Sequence, residues 1–175
     1  MGGPVIIRFA RDADADEIAA LVNAAFKVER FFIDRDRINS GKVVEMMRTG
    51  KYLLAQDAGG LVACVYVEPR SERAYFGLLA VDPARQGEGL GRRMVEEAED
   101  YARNAGCCFM DLRIVNLRTE LPPFYERLGY AETGTAPFAT DAQPSQPCHF
   151  VNMSKPLGAR RASDQESRRK VKSSG

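Results

Sequence analysis

The stretch from Ala74 to Gly106 constrains this chain more than any other. An apolar run from Tyr75 to Val81 is cut by Asp82-Pro83, a glycine-rich turn follows, and a long amphipathic pattern begins at Leu90. That order reads as strand, loop, helix. Leu90, Met94, Ala98, Ala102 and Ala105 recur at helical spacing with Val95 and Tyr101 beside them. Arg92, Glu96, Glu97, Glu99, Asp100 and Arg103 take the other face, and Gly106 ends the helix.

Gly87, Gly89 and Gly91 sit where loop becomes helix. Without Cβ atoms the chain turns tightly there and brings bare N–H groups close to a ligand. Those amides are the unpaired donors of a helix start, with roughly half a positive charge from the dipole, so a phosphate or pyrophosphate is the natural guest. Arg85, Arg92 and Arg93 can add charge, provided that Glu88 points away. The dinucleotide fingerprint does not fit, because Arg92 or Met94 falls at its third glycine, and no Gly-Lys-Ser/Thr follows to make a nucleotide P-loop.

The rest of the composition suits one domain with a real core: 175 residues, 45% hydrophobic and 28% charged. No apolar run approaches the ~18 residues of a membrane span, and Met1 to Arg8 holds no long apolar signal segment, so a cytoplasmic protein without membrane contact is expected. Cys64, Cys107, Cys108 and Cys148 show no metal spacing and read as reduced thiols, with no metal site. The net charge of +1 hides a split: residues 158–175 carry +4 and the preceding 157 residues −3. The basic tail has one strong apolar residue, Val171, and cannot bury enough surface to order itself. The division is therefore a domain over 1–157 and a tail over 158–175. Nucleic-acid binding would rest on that tail alone and is not expected; Arg160-Arg161-Ala162-Ser163 is similar to a basophilic kinase site.

In order along the chain, Val5 to Phe9 reads as a first strand. Asp14, Asp16 and Glu17 load acids into a first helical turn, with Ile18, Leu21, Val22 and Ala25 as its buried stripe. The pattern breaks up from Val28 to Asn39, and Val43, Val44, Met46 and Met47 suggest a second helix ending near Gly50. Tyr52–Gln56 and Leu61–Val67 form strands joined by the hairpin turn Asp57–Gly60, with Pro69 closing the second. Phe109–Val115 is the parallel partner of the central strand. Pro122 and Pro123 open a short helix that Gly129 stops. Tyr130–Thr135 and His149–Ser154 are the last strands, separated by the Pro-rich connection Ala136–Pro147.

Two motifs carry a family resemblance. Gln86-Gly87-Glu88-Gly89-Leu90-Gly91 resembles the Gln/Arg-x-x-Gly-x-Gly/Ala pyrophosphate loop of the GNAT superfamily, the acyl-CoA-dependent N-acyltransferases. Asn116 with Phe124-Tyr125-Glu126-Arg127-Leu128-Gly129-Tyr130 resembles that family's second motif. The resemblance spans about Val5 to Pro156 and implies an α/β (α+β) fold: a mixed, mostly antiparallel sheet of about seven strands flanked by about four helices. It further implies acetyl-CoA as cosubstrate, gripped by the backbone of Gln86, Gly87, Gly89, Gly91 and Arg92, along Leu79 and Val81 of the central strand, and by Asn116. Tyr125 is implied as the general acid that protonates the departing thiolate. The acceptor would lie under the segment between the first two helices, making Phe31, Phe32, Asp34 and Asp36 candidates to shape its pocket; alternatively the aromatics pin that segment to the core. The central strand holds no carboxylate to act as base, leaving Glu68, Glu72, Asp111, His149 or solvent. The implied activity is acetyl transfer to a primary amine; because nothing in the sequence marks a peptide groove, a small molecule is expected over a protein. The alternative is a non-catalytic acyl-CoA-binding module. A homodimer is the assembly the resemblance allows.

Overall fold

In the computed structural model, which describes residues 3–138 and 143–158, seven strands join into one sheet in the order β1-β2-β3-β4-β5-β7-β6. They are β1 (Ile6–Phe9), β2 (Lys51–Asp57), β3 (Gly60–Arg70), β4 (Arg73–Val81), β5 (Phe109–Val115), β6 (Ala131–Pro137) and β7 (His149–Pro156). Only β4 and β5 run parallel; every other pair is antiparallel. Four helices complete the fold: α1 (Ala15–Ala25), α2 (Ser40–Met46), α3 (Leu90–Asn104) and α4 (Leu121–Arg127). The basic tail beyond Gly158 and the centre of the β6–β7 connection lie outside the described residues.

Local chemistry accounts for the helix ends. Asp16 and Glu17 stand in the first turn of α1, where the dipole favours them. The Asn39 side chain caps α2 by accepting from Lys42 N at 2.8 Å. Pro122 and Pro123 begin α4, where their missing donors cost little. Gly106 after α3 and Gly129 after α4 take positive φ, which Gly adopts without strain.

The sheet divides two apolar cores. Leu90, Met94, Ala98 and Ala102 of α3 pack on one face with Tyr125 of α4 and Phe76 of β4. Ile18 and Val22 of α1 and Val43 of α2 pack on the other with Leu54, Cys64 and Ala80.

β4 changes phase between these cores. Cys64 pairs with Ala80 and Tyr66 with Gly77, so two residues of β4, Leu78 and Leu79, stand opposite Val65 alone. Leu78 has φ +51°, costly for a branched aliphatic residue. This bulge hands the α3 side from Phe76 to Leu79 and Val81, and turns Leu78 and Ala80 toward α1. The regular alternation read from the sequence does not include it.

Four further details differ from expectation. Pro69 lies inside β3 rather than closing it; β2 pairs no further than Val67, so Pro69 has a strand on one side only. β6 begins at Ala131 and runs to Pro137, on the sheet edge where a proline is tolerated, and Tyr130 points into the core. Ala105 is exposed just past the end of α3. Glu99, expected on the wet face of α3, is 2% exposed. Tyr130 Oη donates to its Oε2 at 2.7 Å and Lys155 Nζ donates to Oε1 at 3.0 Å. These partners satisfy a carboxylate that would otherwise be too costly to bury.

Candidate active site

β4 and β5 pair at three positions, Arg73 with Phe109, Ala74 with Met110 and Tyr75 with Asp111, and then part. Between them opens a cleft of about 570 Å³, within the size range of small-molecule sites. Gly77, Leu79 and Val81 form one wall and Leu112 and Ile114 the other. The glycine turn and the start of α3 also line it, as do Ala25, Phe26 and Glu29 at the end of α1 and the turn after it.

The turn is built as an anion cradle. Asp82 accepts from Ala84 N at 3.0 Å and sets the short helix Pro83–Arg85. Gly87 and Gly89 have φ of +86° and +80°, and the latter is the N-cap of α3. No acidic residue occupies the first turn of α3, and Gly89, Leu90 and Gly91 at its start line the cleft. A Cβ built on Gly91 would stand 3.6 Å from Phe124 and 3.8 Å from Val81, an ordinary contact. The fold therefore does not demand glycine at 91. Glu88 turns to Arg85 (2.9 Å), and Arg85 also binds Asp57 in the β2–β3 turn. The acid is kept off the cradle, and Arg85 is spent holding the loop. Its guanidinium in turn holds the Asp57 carboxyl below its usual range.

Gln86, Gly87, Gly89, Gly91, Arg92, Leu79, Val81 and Tyr125, singled out from the sequence, all line this one cleft. Asn116 is not among the lining residues. Its Oδ1 accepts from His149 N at 2.8 Å, and its own amide donates to His149 O at 2.9 Å, fastening the end of β5 to the start of β7.

Tyr125 is 5% exposed, ringed by Phe76, Phe124 and Tyr130 at centroid distances of 5.0–5.9 Å. Its hydroxyl has no hydrogen-bond partner among the described residues. Burial pushes its pKa up, so the phenol stays protonated and able to donate.

The expected acceptor residues fall elsewhere. Phe32 is 1% exposed in packing, Phe31 is exposed, and Asp34 and Asp36 pair with Arg30. Glu68 pairs with Arg70, Asp111 with Arg73, and the His149 side chain is exposed. None of these lines the main cleft.

Glu29 does, and sequence reasoning passed over it. Its side chain is 14% exposed; Arg118 Nη1 donates to Oε2 at 2.8 Å, while Oε1 has no partner among the described residues. Burial raises its pKa, the opposing pulls of Arg118 and Arg37 being smaller. A signal was available: Ile18, Val22, Ala25 and Glu29 are spaced four, three and four, so Glu29 continues the inward stripe of α1.

The parted sheet, the glycine cradle at the helix start and the buried phenol define a mixed-sheet α/β domain with a ligand cleft between its two parallel strands. Residues 48–132 match the model of the acetyltransferase (GNAT) domain. The chain is 26% identical over 129 residues to the IAA acetyltransferase of Azospirillum brasilense, covering 70% of this chain and 84% of that protein. It is also 26% identical over 143 residues to the mycothiol acetyltransferase of Propionibacterium freudenreichii subsp. shermanii. That match covers 78% of this chain and spans 46% of the mycothiol enzyme. The yncA structure from Salmonella typhimurium, solved with its cofactor acetyl-CoA, shares the fold at a TM-score of 0.69 and 21% identity, over 91% of this chain and 98% of that one.

Proposed function

We propose that this protein is an N-acetyltransferase that moves an acetyl group from acetyl-CoA to a primary amine of a small molecule, by direct attack with both substrates bound. The observation that carries this reading is the continuity of one cleft from the glycine cradle, past Tyr125, to Glu29. The cradle amides of residues 86–92 would hold the pyrophosphate, and the β5-facing edge of β4 would meet the extended arm along Leu79 and Val81. Acetyl-CoA supplies an activated thioester. Side-by-side binding removes much of the entropic barrier to its reaction with an amine.

Two residues are suited to moving protons. Glu29 takes the proton of the attacking amine; a carboxylate with a raised pKa is a better base than an exposed one. Tyr125 gives its proton to the departing sulfur as the C–S bond breaks and the N–C bond forms. Asn116 holds the site from behind by fixing the start of β7. The protein is read as cytoplasmic, with a homodimer as the assembly considered; no helix of the described residues is long and apolar enough to cross a membrane.

Thermal unfolding with saturating acetyl-CoA tests the cofactor. At a hundred times its dissociation constant a ligand adds about 2.7 kcal/mol, a rise of roughly 5–11 °C for a chain of this size. NADH and ATP at equal concentration should give none. Release of free thiol with a panel of small amines then tests transfer. A shift without transfer to any amine favours the non-catalytic binding module, and no shift removes both readings.

A further inference from the structure

Beside the main cleft lies a side chamber of about 70 Å³, sharing Phe26, Glu29, Arg37, Val115 and Phe150 with it. Its charges are unevenly matched. Both of its carboxylates are already engaged, Glu29 with Arg118 at 2.8 Å and Asp36 with Arg30 at 3.0 Å, and neither of those arginines lines the chamber. Its own two cations, Arg35 and Arg37, have no carboxylate within ion-pair distance among the described residues.

Arg37 is held in a particular way. The Asn23 side chain accepts from Arg37 N at 2.8 Å and from Ile38 N at 3.0 Å, and it donates to Ile38 O at 2.8 Å. The backbone is fixed while the guanidinium lies over the Phe26 ring at 5.6 Å, free to bind. A planar guanidinium with a fixed stem and no carboxylate at ion-pair distance is suited to a carboxylate or phosphate. At the junction with the main cleft, Glu29 offers its unpartnered Oε1, an acceptor for an ammonium or amine.

We infer that the acceptor is a small amine that also carries an acidic group, its nitrogen seated at Glu29 and its acid at Arg37 and Arg35. This rests on the transferase reading and names the substrate class of the same site. The two seats both border the chamber, so a molecule with both groups engages them together while its amine faces the main cleft at Glu29. The small volume and the ring walls of Phe26, Phe138 and Phe150 confine the acceptor to a few heavy atoms between them. Carboxylate and phosphate share this chemistry, and the test separates them.

Thiol release is measured with L-leucine against L-leucinamide, and with O-phosphoethanolamine against ethanolamine. Within each pair only the acid differs, and leucinamide has the more weakly basic, more easily attacking amine. The expected result is a KM at least tenfold lower for the acidic member of one pair, the pair identifying the acid. A charge-assisted contact of about 1.5–3 kcal/mol has that effect. Arg37→Gln should raise that KM about tenfold and leave the neutral partner's within twofold. Equal KM values in both pairs, or an Arg37→Gln variant that leaves the acidic KM unchanged, overturn the inference. So does acetyl-CoA binding, seen as a thermal shift, without turnover of any of the four amines. Absence of that shift sinks the transferase reading itself.

Discussion

β4 has two edges and treats them differently. Toward β3 it is paired at seven positions from Arg73 to Val81; toward β5 it is paired at three and then stands apart. A strand edge in a protein interior does not leave its polar groups unmet. On the β3 side the neighbouring strand satisfies them. On the β5 side, past Tyr75, they are left for whatever enters the cleft. The bulge at Leu78 and Leu79 lies on this stretch, and the added twist of a bulge helps to swing the strand ends apart. One strand is thus scaffold along one edge and site along the other.

A parted seam needs a tie, and Glu99 supplies one. It reaches from α3, which packs on β2, β3 and β4, to Tyr130 at the start of β6 and Lys155 in β7. Replacing Glu99 by Ala leaves Lys155 unmatched beside the core and Tyr130 without its acceptor. The expected loss is about 3 kcal/mol, a fall in midpoint of about 6–12 °C for a chain of this size. Thermal unfolding checks it. A loss of under about 1 kcal/mol, the scale of a surface ion pair, would mean that the halves hold together without this contact.

Opening the other side of the comparison, Glu29→Gln should lower kcat about a hundredfold, or about 2.7 kcal/mol. The pH profile carries the sharper test. Glu29 is a base only when ionised, so the wild-type rate falls on the acid side as it takes a proton. Because burial raises its pKa, that fall starts at a higher pH than an exposed glutamate would give. The Gln variant should lose this limb. A variant with the same limb and the same kcat places the base elsewhere.

The scaffold edge was far more legible in the sequence than the site edge. Strand order through the meander, the crossover α3 and the parallel β5 follow from apolar runs, the Asp57–Gly60 turn and the Gly87–Gly91 loop. Those signals are local, and local periodicity reports local structure. The bulge is not local: it depends on how Val65 of β3 meets β4, which no period within β4 encodes. Glu99 was hidden by its charge, although Val95, Glu99 and Ala102 share one helix face. Glu29 was missed because α1 gives way to a short 3-10 turn at Phe26–Glu29, where the α-helical pattern stops while its inward face continues. The candidates at Asp34, Glu68 and Asp111 lie outside the main cleft. Each has an arginine partner that a linear reading does not reveal.

Tyr125→Phe separates the two edges by a smaller margin. Turnover should fall at least tenfold, about 1.4 kcal/mol in barrier, with acetyl-CoA affinity and unfolding midpoint little changed. The unchanged midpoint follows from a hydroxyl that makes no hydrogen bond among the described residues, so its removal leaves no orphan in the fold. Thiol release and the acetyl-CoA thermal shift measure both. Unchanged turnover across the pH range takes the proton-donor role away from Tyr125.

The smallest effect is expected at Asp14, beside the outer strand β1 and far from the parted seam. Arg8 grips it with two hydrogen bonds of 2.8 Å, joining β1 to the start of α1. That grip lowers the Asp14 pKa to about 2, whereas the unfolded chain has about 3.9. A carboxyl depressed on folding stabilises the protein above the unfolded value and loses that contribution as pH falls toward the folded one. The Arg8 and Asp14 side chains are 27% and 13% exposed, so water screens part of the attraction. Asp14→Asn should therefore cost about 1 kcal/mol at neutral pH, near the upper end for such pairs. The gap from wild type should hold from neutrality down to about pH 4 and narrow below it, with kcat unchanged throughout. A gap that widens on acidification contradicts the assigned direction. A change in kcat would mean that the closed edge of the sheet and its open seam are mechanically coupled, and the division drawn along β4 would have to be redrawn.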